Sequence, residues 1–77
     1  MNTETLQINI ESPIATVTLN RPNVLNAFNE QLVLDLQQAF KNLTEDESVR
    51  VIILTGSGKG FSAGADLTER EASWDPD

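Results

Sequence analysis

Hydrophobic and polar positions alternate near the start of the chain, with Leu6, Ile8 and Ile10 interleaved with Gln7, Asn9 and Glu11. A period of two places one set of side chains on one face of a strand. After Glu11-Ser12-Pro13 comes a second run, Ile14 to Leu19, rich in Val, Ile and Thr, so the first twenty residues read as a β-hairpin. Asn20-Arg21-Pro22-Asn23 ends that pattern, because proline has no N–H for a ladder and asparagine favours turns. From Leu32 the period changes: Leu32, Val33, Leu36, Ala39, Phe40 and Leu43 fall on one face of an amphipathic helix. Asn29 can cap that helix, with Glu30 in its first turn, and Asn26 is an equally legal cap one turn earlier. The acidic turn Thr44 to Ser48 is followed by Val49 to Thr55, a short apolar run of the kind expected for a strand covered on both faces. The order β-β-α-β, with a helix between two strands, predicts a right-handed crossover and a parallel pair, hence an α/β class.

Composition narrows what such a unit does. The chain has 77 residues, which bounds it to one small domain. Its 5 basic and 12 acidic residues give a net charge of −7, a poor match for nucleic acid or an anionic membrane surface. There is no cysteine and no histidine, which removes disulfide scaffolds, thiolate nucleophiles, His-based triads and nearly all zinc sites. No metal site is expected. Met1 to Glu11 holds two acids and no base, unlike a signal or transit peptide, and no apolar run approaches the roughly 20 residues of a membrane span. The expected location is the cytoplasm, with no membrane or nucleic-acid partner.

All four glycines fall in Gly56-Ser57-Gly58-Lys59-Gly60-Phe61-Ser62-Ala63-Gly64, directly after the last strand. At the carboxyl end of a parallel strand such a loop lets backbone N–H groups approach a ligand, and it is equally readable as a surface turn. A phosphate loop of the GxxxxGK[ST] type is excluded, since Lys59 would require glycine at Ile53 and a hydroxyl at Gly60. The alanine variant of the dinucleotide fingerprint fits loosely over Gly58 to Ala63, without the later acidic residue that confirms it. Glu45, Asp46, Glu47, Glu69 and Glu71 read as solvated surface, leaving Asp66 as the acid beside the loop. Ser57 and Ser62 have no histidine to activate them, and Lys59 has only adjacency in its favour as a base.

Two segments in order, Asn20-Arg21-Pro22-Asn23-Val24-Leu25-Asn26-Ala27-Phe28 and Gly60-Phe61-Ser62-Ala63-Gly64-Ala65-Asp66-Leu67, flank a helix and the strand Val51-Ile52-Ile53-Leu54-Thr55-Gly56. Over about Leu6 to Leu67 the chain closely resembles the amino-terminal part of the enoyl-CoA hydratase/isomerase, or crotonase, family. The resemblance implies a piece of the ClpP/crotonase spiral fold, with residues 68–77 a poorly defined tail, and an acyl-CoA site. Asn23, Val24 and Leu25 would meet the adenine and pantetheine portions through their backbone, and Ala27 would line the same groove. Ala63, Gly64, Ala65, Asp66 and Leu67 would hold the thioester. The N–H of Ala65 would be one of two oxyanion donors, Gly64 would permit close approach, and Asp66 is read first as a cap for the segment after it.

The resemblance further implies that coenzyme A enters as part of the substrate, that no other cofactor is needed, and that the protein forms a homo-oligomer, trimer or hexamer. Its reaction would be hydration of a 2-enoyl-CoA. Position 23 is Asn where many relatives carry a lysine near the CoA phosphates. The second oxyanion donor and the acid/base glutamates of the family belong to later parts of the fold, so these 77 residues are expected to be a truncated, catalytically inert portion. The alternatives are a non-catalytic CoA-binding or subunit-association module and a nucleotide-binding βαβ fragment.

Overall fold

In a computed structural model of the chain, residues 2–62 and 64 are described. The strands are β1, Leu6–Glu11, β2, Ile14–Leu19, and β3, Val51–Gly56; the helix α1 is Glu30–Thr44, and a short 3-10 turn occupies Pro22–Val24. They form one sheet in the order β1-β2-β3. β1 and β2 are antiparallel, with Leu6 opposite Leu19 and Ile8 opposite Val17, while β2 and β3 are parallel, with Ala15 beside Ile52 and Leu19 beside Gly56. The predicted β-β-α-β order and the parallel crossover are therefore present.

The register explains the core. Leu6, Ile8, Ala15, Val17 and Leu19 share one sheet face, and α1 lays Leu32, Leu36, Ala39 and Leu43 against it; all nine are buried. Phe28, Phe40, Val49 and Ile52 pack around this cluster. The Asn29 side chain accepts a hydrogen bond from the Leu32 N–H at 2.9 Å, satisfying one of the open donors of the first helical turn. Glu30 in the first turn and Lys41 in the last suit the helix dipole.

Three expectations are corrected. β3 is not covered on both faces: Val51 is 48% and Ile53 46% exposed, and only Ile52 and Gly56 are half-buried. A single helix about 10 Å across spans roughly two strands set about 4.8 Å apart, so α1 seals β1 and β2 and leaves the outer strand open. Val33 lies outside the buried stripe, 39% exposed. It sits one residue after Leu32, and a step of about 100° around the helix carries it off the centre of the buried face. The last strand starts at Val51, which pairs with Ile14, and not at Val49, whose N–H donates to the Asp46 carbonyl at 3.1 Å in the preceding turn.

Candidate functional site

A parallel pair points both carboxyl ends the same way, so the loops after β2 and β3 leave one edge of the sheet together. The first runs over residues 20–28. Pro22, with its fixed φ, starts the 3-10 turn. Within it the Val24 and Asn26 N–H groups donate to the Arg21 carbonyl at 3.1 and 2.8 Å, Leu25 to Pro22 at 3.2 Å, and Ala27 to Val24 at 3.1 Å. The turn closes through two successive left-handed residues, Leu25 at φ 55° and Asn26 at φ 53°. Asparagine adopts this region readily and leucine does not, so the turn places Leu25 at a conformational cost, with its side chain 55% exposed. These bonds engage the N–H groups of Val24, Leu25, Asn26 and Ala27 and, together with the contacts of Ser62 and Arg21, the carbonyls of Arg21, Pro22, Val24, Asn26 and Ala27.

The second loop follows Gly56 and is fastened to the first. Ser57 N–H donates to the Leu19 carbonyl at 2.9 Å, extending the β2–β3 ladder by one bond. The link between loops is Asn26, fully buried. Its Oδ1 accepts from the Arg21 N–H at 2.8 Å, and its Nδ2 donates to the Ser57 and Gly60 carbonyls at 2.8 and 3.2 Å. The Asn26 carbonyl accepts from Ser62 Oγ at 2.8 Å, and Ser62 Oγ in turn accepts from the Gly64 N–H at 3.0 Å. The Gly64 carbonyl accepts from the Phe28 N–H at 2.7 Å. The half-buried Arg21 sends its guanidinium to the Ala27 carbonyl.

Beside these loops lie two neighbouring open clefts that share Ser62. One, of about 450 Å³, is walled by Phe28, Phe61, Ser62 and Gly64; the other, of about 350 Å³, by Leu25, Lys59, Gly60 and Ser62. The first is apolar with backbone and hydroxyl groups at its rim; the second carries a lysine. Lys59 is the one charged side chain on the described walls, so the second cleft suits a negatively charged group and the first an apolar one. The carboxylates with shifted pKa lie elsewhere. Asp35 on α1 is held below the usual range chiefly by the Thr5 hydroxyl, and Asp46 by the hydroxyl and N–H of Ser48. Among the described residues no group of three or more His, Cys, Asp or Glu side chains could hold a metal ion.

Of the residues singled out from the sequence, Leu25 and Gly64 stand on the cleft walls. Asn23 and Val24 lie in the exposed 3-10 turn and Ala27 is half-buried behind it. They share the first loop and line neither cleft. Ala63, Ala65, Asp66, Leu67 and the tail 68–77 lie outside the described residues. Asn26 is, by sequence, no more than an alternative helix cap; in the structure Asn29 holds that position, and Asn26 instead joins the two loops. Its available signal is its own residue type, an asparagine two residues past a 3-10-compatible Pro-Asn-Val, where a left-handed backbone is easily reached.

A β-β-α-β unit whose two loops leave one end of a parallel pair is an α/β fragment with a candidate ligand site beyond its strand ends. The family model for enoyl-CoA hydratase/isomerase matches residues 9–75, and the chain belongs to that family. It is 47% identical over 68 residues to a probable peroxisomal enoyl-CoA hydratase 1 of Arabidopsis thaliana, covering 87% of this chain and 26% of the relative. It is 43% identical over 61 residues to the 1,2-epoxyphenylacetyl-CoA isomerase of Escherichia coli, covering 79% and 23%. Its backbone superposes on an enoyl-CoA hydratase from Mycobacterium marinum with a TM-score of 0.84 at 51% identity, over 95% of this chain and 35% of that one. The fold is thus that of the amino-terminal portion of a crotonase-type domain, and the chain spans about a quarter of the length of the curated relatives it matches.

Proposed function

We propose that the chain is the amino-terminal part of an acyl-CoA-processing enzyme, acting as a 2-enoyl-CoA hydratase, and that its two loops form the CoA groove and one half of an oxyanion hole. The observation that carries this reading is the pinning of residues 20–28 to residues 57–64 at one sheet edge. The backbone around Asn23, Val24 and Leu25, chiefly the carbonyls of Asn23 and Leu25, would meet the amino and amide N–H groups of adenine and pantetheine, with Ala27 supporting the groove. Lys59 on the adjoining cleft supplies positive charge for the phosphates, where position 23 does not.

Ala63, Gly64, Ala65, Asp66 and Leu67 would receive the thioester, with the Ala65 N–H facing its oxygen. During hydration the hydroxyl of water adds to the β-carbon while negative charge collects on that oxygen as an enolate, and a proton then returns to the α-carbon. A backbone donor preorganised in a dry site stabilises such a charge, and losing one costs on the order of 3 kcal/mol. Among the described residues no acid stands on the cleft walls to act as general base, so the segment is proposed to bind without turning over. Coenzyme A is part of the substrate and no other cofactor is invoked. Cytoplasmic residence and a homo-oligomeric state, trimer or hexamer, belong to the same proposal.

Titration of the chain with CoA, crotonyl-CoA and NAD by calorimetry tests it, with enoyl absorbance followed in parallel. Binding of crotonyl-CoA above NAD without loss of the enoyl chromophore is expected. Preference for NAD would overturn the acyl-CoA reading, and turnover would overturn the missing base. The isomerase named among the relatives favours one second reading, double-bond migration in place of hydration, and product analysis of an enzyme carrying this segment separates the two.

A further inference from the structure

We infer that Asn26 is the positioning residue of this site: it fixes the glycine loop against the 3-10 turn and sets Gly64 through a relay by way of Ser62. Asn26 is a polar side chain with no exposed surface, which requires that its donors and acceptor all be satisfied. They are satisfied by three different backbone segments: Arg21 ahead of the 3-10 turn, Ser57 at the end of β3, and Gly60 midway through the glycine loop. Its left-handed backbone points its own carbonyl at Ser62. From there the chain of bonds runs Ser62 Oγ to the Gly64 N–H, while the Gly64 carbonyl is held by the Phe28 N–H. The Gly64 carbonyl is thereby held from the first loop directly and its N–H through Ser62, which is itself fastened to that loop, although Gly64 has a φ of 96° and open space where a Cβ would stand. A glycine free to rotate, tied at both ends, is a placed glycine. The connection to catalysis rests on the acyl-CoA reading above; the geometric claim does not.

Two substitutions separate these. Asn26→Asp keeps the acceptor for Arg21 and replaces the Nδ2 donor with an oxygen aimed at two carbonyls. Ser62→Ala removes the relay and leaves the buried amide alone. In isotope-labelled full chain, Ser62→Ala is expected to speed exchange of the Gly64 and Phe28 amides by about tenfold, with the α1 amides unchanged. In Asn26→Asp the amide shifts of residues 57–64 are expected to depart from wild type at neutral pH. They return as acid protonates the new carboxyl, which can then donate to the Ser57 carbonyl; the wild-type chain, taken through the same series, supplies the background. A mere volume role for Asn26 would show no such pH rescue. Unaltered Gly64 and Phe28 exchange in Ser62→Ala overturns the relay even if Asn26→Asp does not fold, and absence of pH rescue in a folded Asn26→Asp overturns the role of its donor. Crotonyl-CoA affinity is measured alongside, with a drop of about tenfold expected in Ser62→Ala. Failure of the wild-type chain to bind would refute the acyl-CoA reading and leave the exchange result standing.

Discussion

The same chemical change, glycine to alanine, is expected to have opposite effects at two positions four residues apart. A Cβ added to Gly56 would lie 2.8 Å from both the Gly60 carbonyl and Asn26 Nδ2, and closer still to the Phe61 carbonyl. Two of these neighbours are backbone and the third is a buried amide with its bonds made, so none moves cheaply. Overpacking of this kind costs about 1–3 kcal/mol. If the loop retreats instead, the bonds from Asn26 to Ser57 and Gly60 are at risk, each worth about 0.5–1.5 kcal/mol. By either route a loss of about 1–3 kcal/mol is expected for Gly56→Ala. At Gly60 nothing stands within 4 Å of the added methyl, and the gain from a less flexible unfolded chain is about 0.4–1 kcal/mol.

Urea unfolding followed by circular dichroism measures both, provided the slopes agree with wild type so that midpoints report stability. A chain of this length has about 4–12 kcal/mol in total, at about 0.05–0.15 per residue, so the Gly56 variant should lose a large part of its folded range while the Gly60 variant gains. Equal midpoints for the two, or a Gly56 variant within about 0.5 kcal/mol of wild type, would refute the claim that the glycine loop folds back onto the end of β3.

Leu32→Ala, at a fully buried helix position, should cost about 2–5 kcal/mol in the same assay, whereas Val33→Ala, on a half-open flank, should stay below about 1 kcal/mol. Asn29→Ala removes the cap on the Leu32 N–H and should cost about 1 kcal/mol, seen as helical ellipticity lost at constant denaturant. Asp35 has a folded pKa lowered first by the Thr5 hydroxyl, opposed next by desolvation, and lowered further by Gln31 and Thr3. Its contribution to stability is therefore present above the unfolded carboxylate pKa and disappears as pH falls through the lower folded value. Thr5→Val should flatten that acid limb of stability against pH and leave neutral-pH ligand binding unchanged. Ser57 Oγ is buried with no partner among the described residues, so Ser57→Ala should be neutral or slightly stabilising in thermal unfolding.

Local pattern carries the hairpin and the helix because their signals are local. Leu6, Ile8 and Ile10 declare a face with their own neighbours, and Leu32, Leu36, Ala39 and Leu43 do the same at helical spacing. Parallel pairing of β2 and β3 is legible from connection length alone. What the pattern cannot convey is which strand the helix covers. Val51 to Leu54 has the apolar composition of a doubly covered strand, yet coverage depends on how many layers lie beside it, a property of the sheet and not of the segment. Val33 is the same lesson on a smaller scale: its residue type fits the apolar stripe, and its angle on the helix takes it out.

The candidate site shows a sharper division between what composition reveals and what it conceals. The glycine cluster is conspicuous because glycine advertises backbone freedom, and it marks the end of the sheet where the β2 and β3 loops emerge. Freedom alone, however, cannot place a donor; a loop able to adopt many conformations must be held in one. In this chain that restraint comes from a residue of ordinary type, Asn26, whose value lies in being buried where three backbone segments converge. Two of its partners are 31 and 34 residues away along the chain, beyond the reach of any local window, and only Arg21 is near, at 5. The backbone that would meet the thioester and the side chain that orders that backbone thus sit on different loops. Substitutions at the conspicuous Gly56 and at the inconspicuous asparagine should consequently converge on one phenotype, loss of order in residues 57–64 with the helix intact.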